Sequence, residues 1–446
     1  MNTPRLVLAG TNSGCGKTTV TCAILQALVD RGLQPAAFKC GPDYIDPMFH
    51  SRIIGAKSGN LDLYFFDENT ARFLLRCGSH GCEVSIIEGV MGFYDGLGLT
   101  STRASTYEAA KVTDSPVVLV VNARGLSLSV LAQLQGFLTL YPENHIRGVI
   151  LNQCSAMTYP ALAQAIRQRF SVEPLGYLPV LPECHLESRH LGLVTAAEVE
   201  NLHEKLRKLS IQAEKSIDLD GFLNLARSAP ALTCEEIRLP KQKQSVRIAV
   251  ARDEAFCFYY EDSLDALREL GAELVPFSPL RDSALPENIQ GLYLGGGYPE
   301  LYGPRLSANR SMHQSIRQAL EQELPCIAEC GGFMYLTQAI GEDEMVGFLP
   351  GRCYDTGKLC RFGYIQLEGE KTGLLESGLP AHEFHHWDCT EPGSACTARK
   401  PSGKTWRCGV CNDHFYAGFP HFHFYASPET ALRFYRACLK EGKRHA

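Results

Sequence analysis

The segment Ala9-Gly10-Thr11-Asn12-Ser13-Gly14-Cys15-Gly16-Lys17-Thr18-Thr19 constrains the fold most. A short apolar run at 5–9 precedes it, and Val20, Ile24, Leu25 and Leu28 follow at helical spacing. A glycine-rich loop between a strand and a helix turns backbone N–H groups toward a phosphate. Gly14 and Gly16 let the backbone approach, Lys17 is placed to reach the β- and γ-phosphates, and Thr18 to hold Mg²⁺. Thr19 continues the ATP-binding set into the helix.

Further strand-length, β-branched runs follow at Val84–Ile87, Val117–Val121 and Val149–Leu151. Helical stretches at Ser129–Leu140 and Pro160–Arg169 lie between them. This alternation predicts a doubly wound α/β domain over 1–195. Residues 196–245 are rich in Glu, Lys and Leu, then polar with Pro230 and Pro240. They read as a helical connection and a linker. A second doubly wound α/β domain is expected over 246–446, starting with Val246–Val250 and including strands at Gly291–Leu294 and Cys326–Ala328.

Glu88 follows the run Val84–Ile87, and ligands in open α/β sheets gather at the carboxyl ends of strands. Asp43 and Glu88 are therefore expected to join Thr18 around Mg²⁺, which prefers oxygen ligands. The other reading is that these carboxylates cap turns in Gly/Pro-rich loops; for Asp46 the two readings balance. Asn152, after the run ending at Leu151, is a candidate to read the adenine base.

Ala328-Glu329-Cys330-Gly331-Gly332 places a thiol between a strand and an expected helix over Gly332–Ala339. Flanking glycines fit a tight nucleophile elbow, and a helix N-terminus would lower the thiol pKa. A cysteine nucleophile needs a base. His421 in Ala417–Phe424 is the candidate, with His423 two residues on. Amidotransferases of the triad type usually carry Glu at that second position, so the third member stays open. The backbone N–H groups of Gly296 and Gly297, after the strand Gly291–Leu294, with that of Gly331, could bind a tetrahedral oxyanion.

The net charge of -6, from 43 basic and 49 acidic residues, gives no support to a nucleic-acid or anionic-membrane partner. The N-terminus lacks signal-peptide features and no apolar run is long enough to span a membrane, so a cytoplasmic location is expected. Eighteen cysteines in so long a chain read as reduced thiols. Cys408 and Cys411 have ligand spacing, but Cys389 and Cys396 are too far apart to make a second tight pair; ordinary cysteines are the favoured reading over zinc.

The chain resembles the cobyrinate a,c-diamide synthase family over nearly its whole length. The carrying segments are Gly10–Thr19, Phe38–Pro47, Glu88–Gly96, Arg189–Leu193, Ala251–Asp262, Gly295–Tyr302, Ala328–Gly332, His382–His385 and Ala417–Phe424. Glycine at Gly10 rather than at Thr11 resembles the dethiobiotin-synthetase type of phosphate loop. Departures are His386-Trp387-Asp388, Phe419-Pro420 and the cysteine-rich stretch 389–411. The resemblance implies an ATP-dependent synthetase domain followed by a class I glutamine amidotransferase domain. It implies that Cys330 attacks glutamine with help from His421, and that Asp43, Glu88 and Asp95 serve Mg²⁺, ATP and the substrate acid, with Ile45 on the substrate side. ATP and L-glutamine would be co-substrates, Mg²⁺ the cofactor, and a tetrapyrrole, cobyrinate, the acceptor; a homodimer is left open. The alternatives are the same amidation of nickel-sirohydrochlorin, a partition-type P-loop ATPase switch that has no use for Cys330, and a standalone glutamine hydrolase with a regulatory nucleotide domain.

Overall fold

A computed structural model describes residues 3–184, 196–369 and 373–444. The chain forms two compact units, Met1–Ile237 and Arg238–Ala446. The resembling segment Arg189–Leu193 lies outside the described residues.

The first unit is built on seven strands: β1 (Arg5–Gly10), β2 (Pro35–Cys40), β3 (Lys57–Leu61), β4 (Val84–Glu88), β5 (Val117–Asn122), β6 (Ile146–Asn152) and β7 (Glu173–Leu178). Their order is β3-β2-β4-β1-β5-β6-β7, and every pairing is parallel. The helices are α1 (Lys17–Asp30), α2 (Ile45–Phe49), α3 (Glu68–Gly78), α4 (Thr106–Val112), α5 (Ser129–Leu140), α6 (Tyr159–Arg169), α7 (Ala196–Ser216) and α8 (Leu219–Arg227). Local sequence fixes several helix starts. Asp67 accepts from Thr70 N at 2.7 Å ahead of α3, and Ser105 accepts from Glu108 N at 3.1 Å ahead of α4.

β1 is buried along its whole length, as central parallel strands are. Its first residue, Arg5, is nonetheless charged and fully buried. Its guanidinium is satisfied by carbonyls: Thr113 at 2.8 Å, Thr3 at 3.0 Å, Pro230 at 2.9 Å and Asp114 at 3.1 Å. Residues 196–227, read from sequence as a connection, are part of this unit's core. Leu206, Leu209 and Ala213 of α7, and Phe222 and Leu223 of α8, pack in one cluster with Val20 and Ile24 of α1. No helix or strand forms over 228–245.

The second unit holds a six-stranded sheet from β8 (Val246–Ala251), β10 (Ala272–Phe277), β11 (Gly291–Leu294), β13 (Cys326–Glu329), β22 (Val410–Cys411) and β23 (Phe415–Gly418). The order is β10-β8-β11-β13-β23-β22, parallel except for the β22–β23 edge pair. Between its strands run β9 (Phe256–Phe258), β12 (Gly296–Gly297), α9 (Glu261–Leu270), α10 (Gly303–Ala308), α11 (Arg310–Glu321) and α12 (Gly331–Leu336). A four-stranded sheet joins β14 (Ala339–Ile340), β15 (Asp343–Glu344), β16 (Arg352–Asp355) and β19 (Trp387–Cys389). An antiparallel sheet in the order β21-β20-β17-β18-β24 joins β17 (Arg361–Glu368), β18 (Leu379–His385), β20 (Cys396–Arg399), β21 (Thr405–Cys408) and β24 (His421–Phe422). Helix α13 (Pro428–Arg444) closes the chain. Among the described residues no helix is long and apolar enough to cross a membrane.

Candidate active sites

In the first unit the phosphate loop is shaped by close approaches. A Cβ at Gly10 would lie 2.5 Å from Cys15 Sγ, which favours glycine at that position. Gly14 and Gly16 have φ of 79° and 90°, a region glycine enters without a Cβ penalty. A Cβ at Gly16 would lie 1.8 Å from Asn152 Nδ2. That nitrogen donates to Cys15 O at 2.8 Å. Asn152, the last residue of β6 and expected to read adenine, thus has its amide nitrogen engaged by the loop. Lys17 is buried, and Thr18 and Thr19 are half-buried on the first turn of α1.

Strand register assembles the acidic centre. Glu88 pairs across with Leu8 on one side and Lys39 on the other. Thr18 Oγ1 donates to Glu88 Oε1 at 2.7 Å, and Lys39 Nζ donates to the same oxygen at 2.9 Å. Lys39 also pairs with Asp46. His50 Nε2 lies 3.5 Å from Glu88 Oε2, which has no hydrogen-bond partner among the described residues. Burial pushes the Glu88 carboxyl up, but Lys39, His50 and Lys17 outweigh it and hold it at about 2. Burial keeps His50 below the usual imidazole range.

The other expected residues lie around this centre in different states. Asp43 Oδ1 accepts from Ile45 N at 2.8 Å and from Asp46 N at 3.2 Å, capping α2. Burial and the Asp46 charge push its carboxyl up to about 6. Ile45 is half-buried on α2. Asp95 is exposed, its Oδ2 accepting from Gly92 N at 2.9 Å. Phe93 N donates to Gly10 O at 2.8 Å, which pins the Asp95 loop against the phosphate loop. Sequence reasoning missed Lys39 and His50. Lys39 carried a usable signal, a lone cation in a short strand ahead of Cys40-Gly41-Pro42.

In the second unit Cys330 stands at the end of β13 with φ 49° and ψ −100°, a strained elbow for a non-glycine residue. Cys330 N donates to Gly418 O at 2.7 Å. A Cβ at Gly331 would lie 3.1 Å from Gly297 N, and one at Gly332 would lie 2.2 Å from Leu294 O. A Cβ at Gly296 would lie 2.5 Å from His421 Cε1. The glycine turn therefore touches both the nucleophile elbow and the candidate base, so Gly296, Gly297, Gly331, Cys330 and His421 converge.

The expectation of a lowered thiol pKa is overturned. Helix α12 has only six residues, and burial, followed by the charges of Glu300, Glu383 and Glu329, pushes the Cys330 thiol well up despite the Gly331 N–H. Glu383 is buried and neither oxygen has a hydrogen-bond partner among the described residues; Arg361 Nε is 3.7 Å away and His385 Nε2 3.8 Å. The departure at Phe419 is a packing feature, its ring stacked on His385 at 4.1 Å. His382 stacks on His421 at 5.1 Å and shares a 3.0 Å hydrogen bond with Tyr260. His423, buried beside Tyr260, is held down at about 3 by burial alone.

None of the eighteen cysteines is in a disulfide. Among the described residues no group of three or more His, Cys, Asp or Glu side chains could hold a metal ion.

Comparison with known proteins agrees with two successive domains. Residues 6–192 match the model of the CobQ/CobB/MinD/ParA nucleotide binding domain, and residues 247–429 that of the CobB/CobQ-like glutamine amidotransferase domain. A protein of Caldanaerobacter subterraneus named cobyrinate a,c-diamide synthase is 41% identical over 98% of this chain and 99% of its own length. The chain belongs to the cobyrinate a,c-diamide synthase family. Family members of the same name from Listeria innocua (39% identical, 99% of this chain, 100% of theirs) and Clostridium acetobutylicum (41%, 95% and 97%) match similarly. As in the family models, the nucleotide-binding half comes first and the amidotransferase half second.

Proposed function

We propose that this chain is a ligase that uses ATP and glutamine to convert the a and c acetate side chains of cobyrinate to carboxamides, in cobalamin biosynthesis. The observation that carries the reading is the pairing of a phosphate loop beside buried Glu88 with a strained Cys330 elbow beside His421, in a chain whose full-length relatives bear that name.

In the first unit, the substrate carboxylate attacks the γ-phosphorus of ATP, and ADP leaves as the acyl phosphate forms. Lys17 and the loop amides offset the charge that develops on the phosphates. The Mg²⁺ site fits a donor set of Thr18 Oγ1 and Glu88, since this ion takes one or two carboxylates and leaves its other positions to phosphate and water. Bound there with ATP, Mg²⁺ would neutralise phosphate charge. Asp43 would be a further ligand, and Asp95 and Ile45 would bind the acid to be amidated. Lys39 holds Glu88 ionised. Asn152 braces the loop from below.

In the second unit, Cys330 attacks the glutamine amide carbon while His421 takes the thiol proton. The N–H groups of Gly296, Gly297 and Gly331 stabilise the oxyanion. His421 returns the proton to the departing ammonia, and water then hydrolyses the thioester to glutamate. Ammonia displaces phosphate from the acyl phosphate and gives the amide. The cytoplasm is the compartment that supplies these substrates.

The test separates the two sites. Cys330→Ala is expected to abolish glutamine-dependent amidation and leave ammonium-dependent amidation intact. Lys17→Ala is expected to stop amidation with either nitrogen source while glutamine hydrolysis persists. Loss of both nitrogen sources in Cys330→Ala would contradict the reading.

A further inference from the structure

The position two residues after the base, where triad amidotransferases carry an acid, holds His423, a buried imidazole kept at about 3. It cannot supply a negative charge. Its Nδ1 is also taken, accepting from Tyr425 N at 3.1 Å.

A carboxylate reaches the base from elsewhere. Glu329, the residue before Cys330, is buried with 1% of its surface exposed. Its Oε2 lies 3.6 Å from His421 Nδ1. Tyr293 on β11 donates to Oε2 at 3.4 Å, and Phe422 N donates to Oε1 at 3.4 Å. Burial and the Glu329 charge hold the Tyr293 phenol well above its usual range, so it remains a donor. The elbow shapes this corner: β13 ends on Glu329, paired with Gly418 of β23, and the chain turns sharply at Cys330.

We propose that Glu329 is the positioning residue of the glutaminase site, holding His421 with Nε2 directed at the thiol and stabilising the imidazolium. The inference rests on the glutaminase reading of Cys330 and His421. The acid of the triad then comes from the residue before the nucleophile instead of from the strand of the base. Such a role answers a need this site has. Burial and the neighbouring carboxylates push the Cys330 thiol up; as the carbon–sulfur bond forms its proton passes to His421, and the charge then appears on the ring. A carboxylate behind the ring stabilises that charge, and such hydrogen bonds commonly tighten only in the substrate complex.

The groups around the ring define the test. They are Glu329 from β13, His382 stacked on it from β18, Tyr293 from β11, Tyr260 behind His382, and His423 on the same segment; Glu300 and Glu383 act on the thiol. Burial, aided by His421, holds His382 well below the imidazole range, so it stays neutral. Glu300, whose charge acts on the thiol, is pushed by burial up to about 7 and also shapes the acid limb of glutaminase kcat/KM. It is therefore the shift of that limb in Glu329→Gln relative to the wild type that reports on Glu329 acting through His421.

Glu329→Gln keeps the shape and an acceptor oxygen but removes the charge. It is expected to lower glutamine-dependent kcat/KM about 10²-fold or more and to leave ammonium-dependent amidation unchanged. Without the carboxylate the imidazolium is less stable, so the acid limb is expected at lower pH. Glu329→Asp is expected to return the limb toward its original position. A limb that stays put in Glu329→Gln, or unchanged glutaminase activity, would overturn the proposal. Should Glu329→Gln also lose ammonium-dependent amidation, Tyr293→Phe decides: it removes one donor, leaves the charge less offset, and is expected to raise the limb, while an unmoved limb would overturn the proposal. Cys330→Ala separates the two claims. If it still hydrolyses glutamine, the glutaminase reading fails; if it does not and Glu329→Gln behaves as wild type, only the role of Glu329 fails.

Discussion

Thr18 Oγ1 donates to Glu88 Oε1 at 2.7 Å, and the same oxygen accepts from Lys39 at 2.9 Å. One buried carboxylate thus links the phosphate loop to the neighbouring strand. Glu88→Gln is expected to lower ATP-dependent amidation at least about 10²-fold with glutamine or ammonium and to leave glutamine hydrolysis in place. Product assays with both nitrogen sources check this.

The same residue makes a pH prediction. Glu88 is held at about 2 against an ordinary value of 4.5, so its contribution to stability is present above 4.5 and is lost as pH falls through 2. The stability difference between the wild type and Glu88→Gln is expected to shrink across that interval. Urea unfolding of both proteins at a series of pH values measures it.

Burial and three carboxylates hold the Cys330 thiol above its usual range, so it is slow to ionise without substrate. Alkylation of Cys330 by iodoacetamide, followed by peptide mass mapping, is expected to be slower near pH 8 than that of exposed Cys77 and to rise at higher pH. Rapid labelling at neutral pH would contradict the account.

Leu209 on α7 is fully buried in the cluster that includes α1. Leu209→Ala is expected to destabilise the first unit by about 2–5 kcal/mol. Denaturant melts check this, and a change near zero would mean that α7 is only a connection.

The legible parts of the fold were those with strong local patterns. Val84–Ile87, Val117–Val121 and Gly291–Leu294 read as strands from their local sequence, and the structure has strands there. β2, with the sequence Pro-Ala-Ala-Phe-Lys-Cys, and β3, Lys-Ser-Gly-Asn-Leu, lack the branched runs that mark buried strands and gain their order from neighbours. The exposed Glu and Lys of α7 masked an apolar face that packs on α1. The elbow at Cys330 could be read because glycines must flank it. The approach of Glu329 to His421 could not, since residues 92 positions apart meet only through the pairing of β13 with β23 and of β18 with β24.

The central claim is tested most directly by mass spectrometry of products after incubation with ATP, Mg²⁺ and glutamine carrying ¹⁵N in its amide, with cobyrinate and nickel-sirohydrochlorin offered separately. The account predicts two successive exchanges of OH for ¹⁵N-labelled NH₂ on cobyrinate, both absent without ATP. Glutamine hydrolysed with cobyrinate unchanged, or exchange on the nickel macrocycle alone, would contradict it.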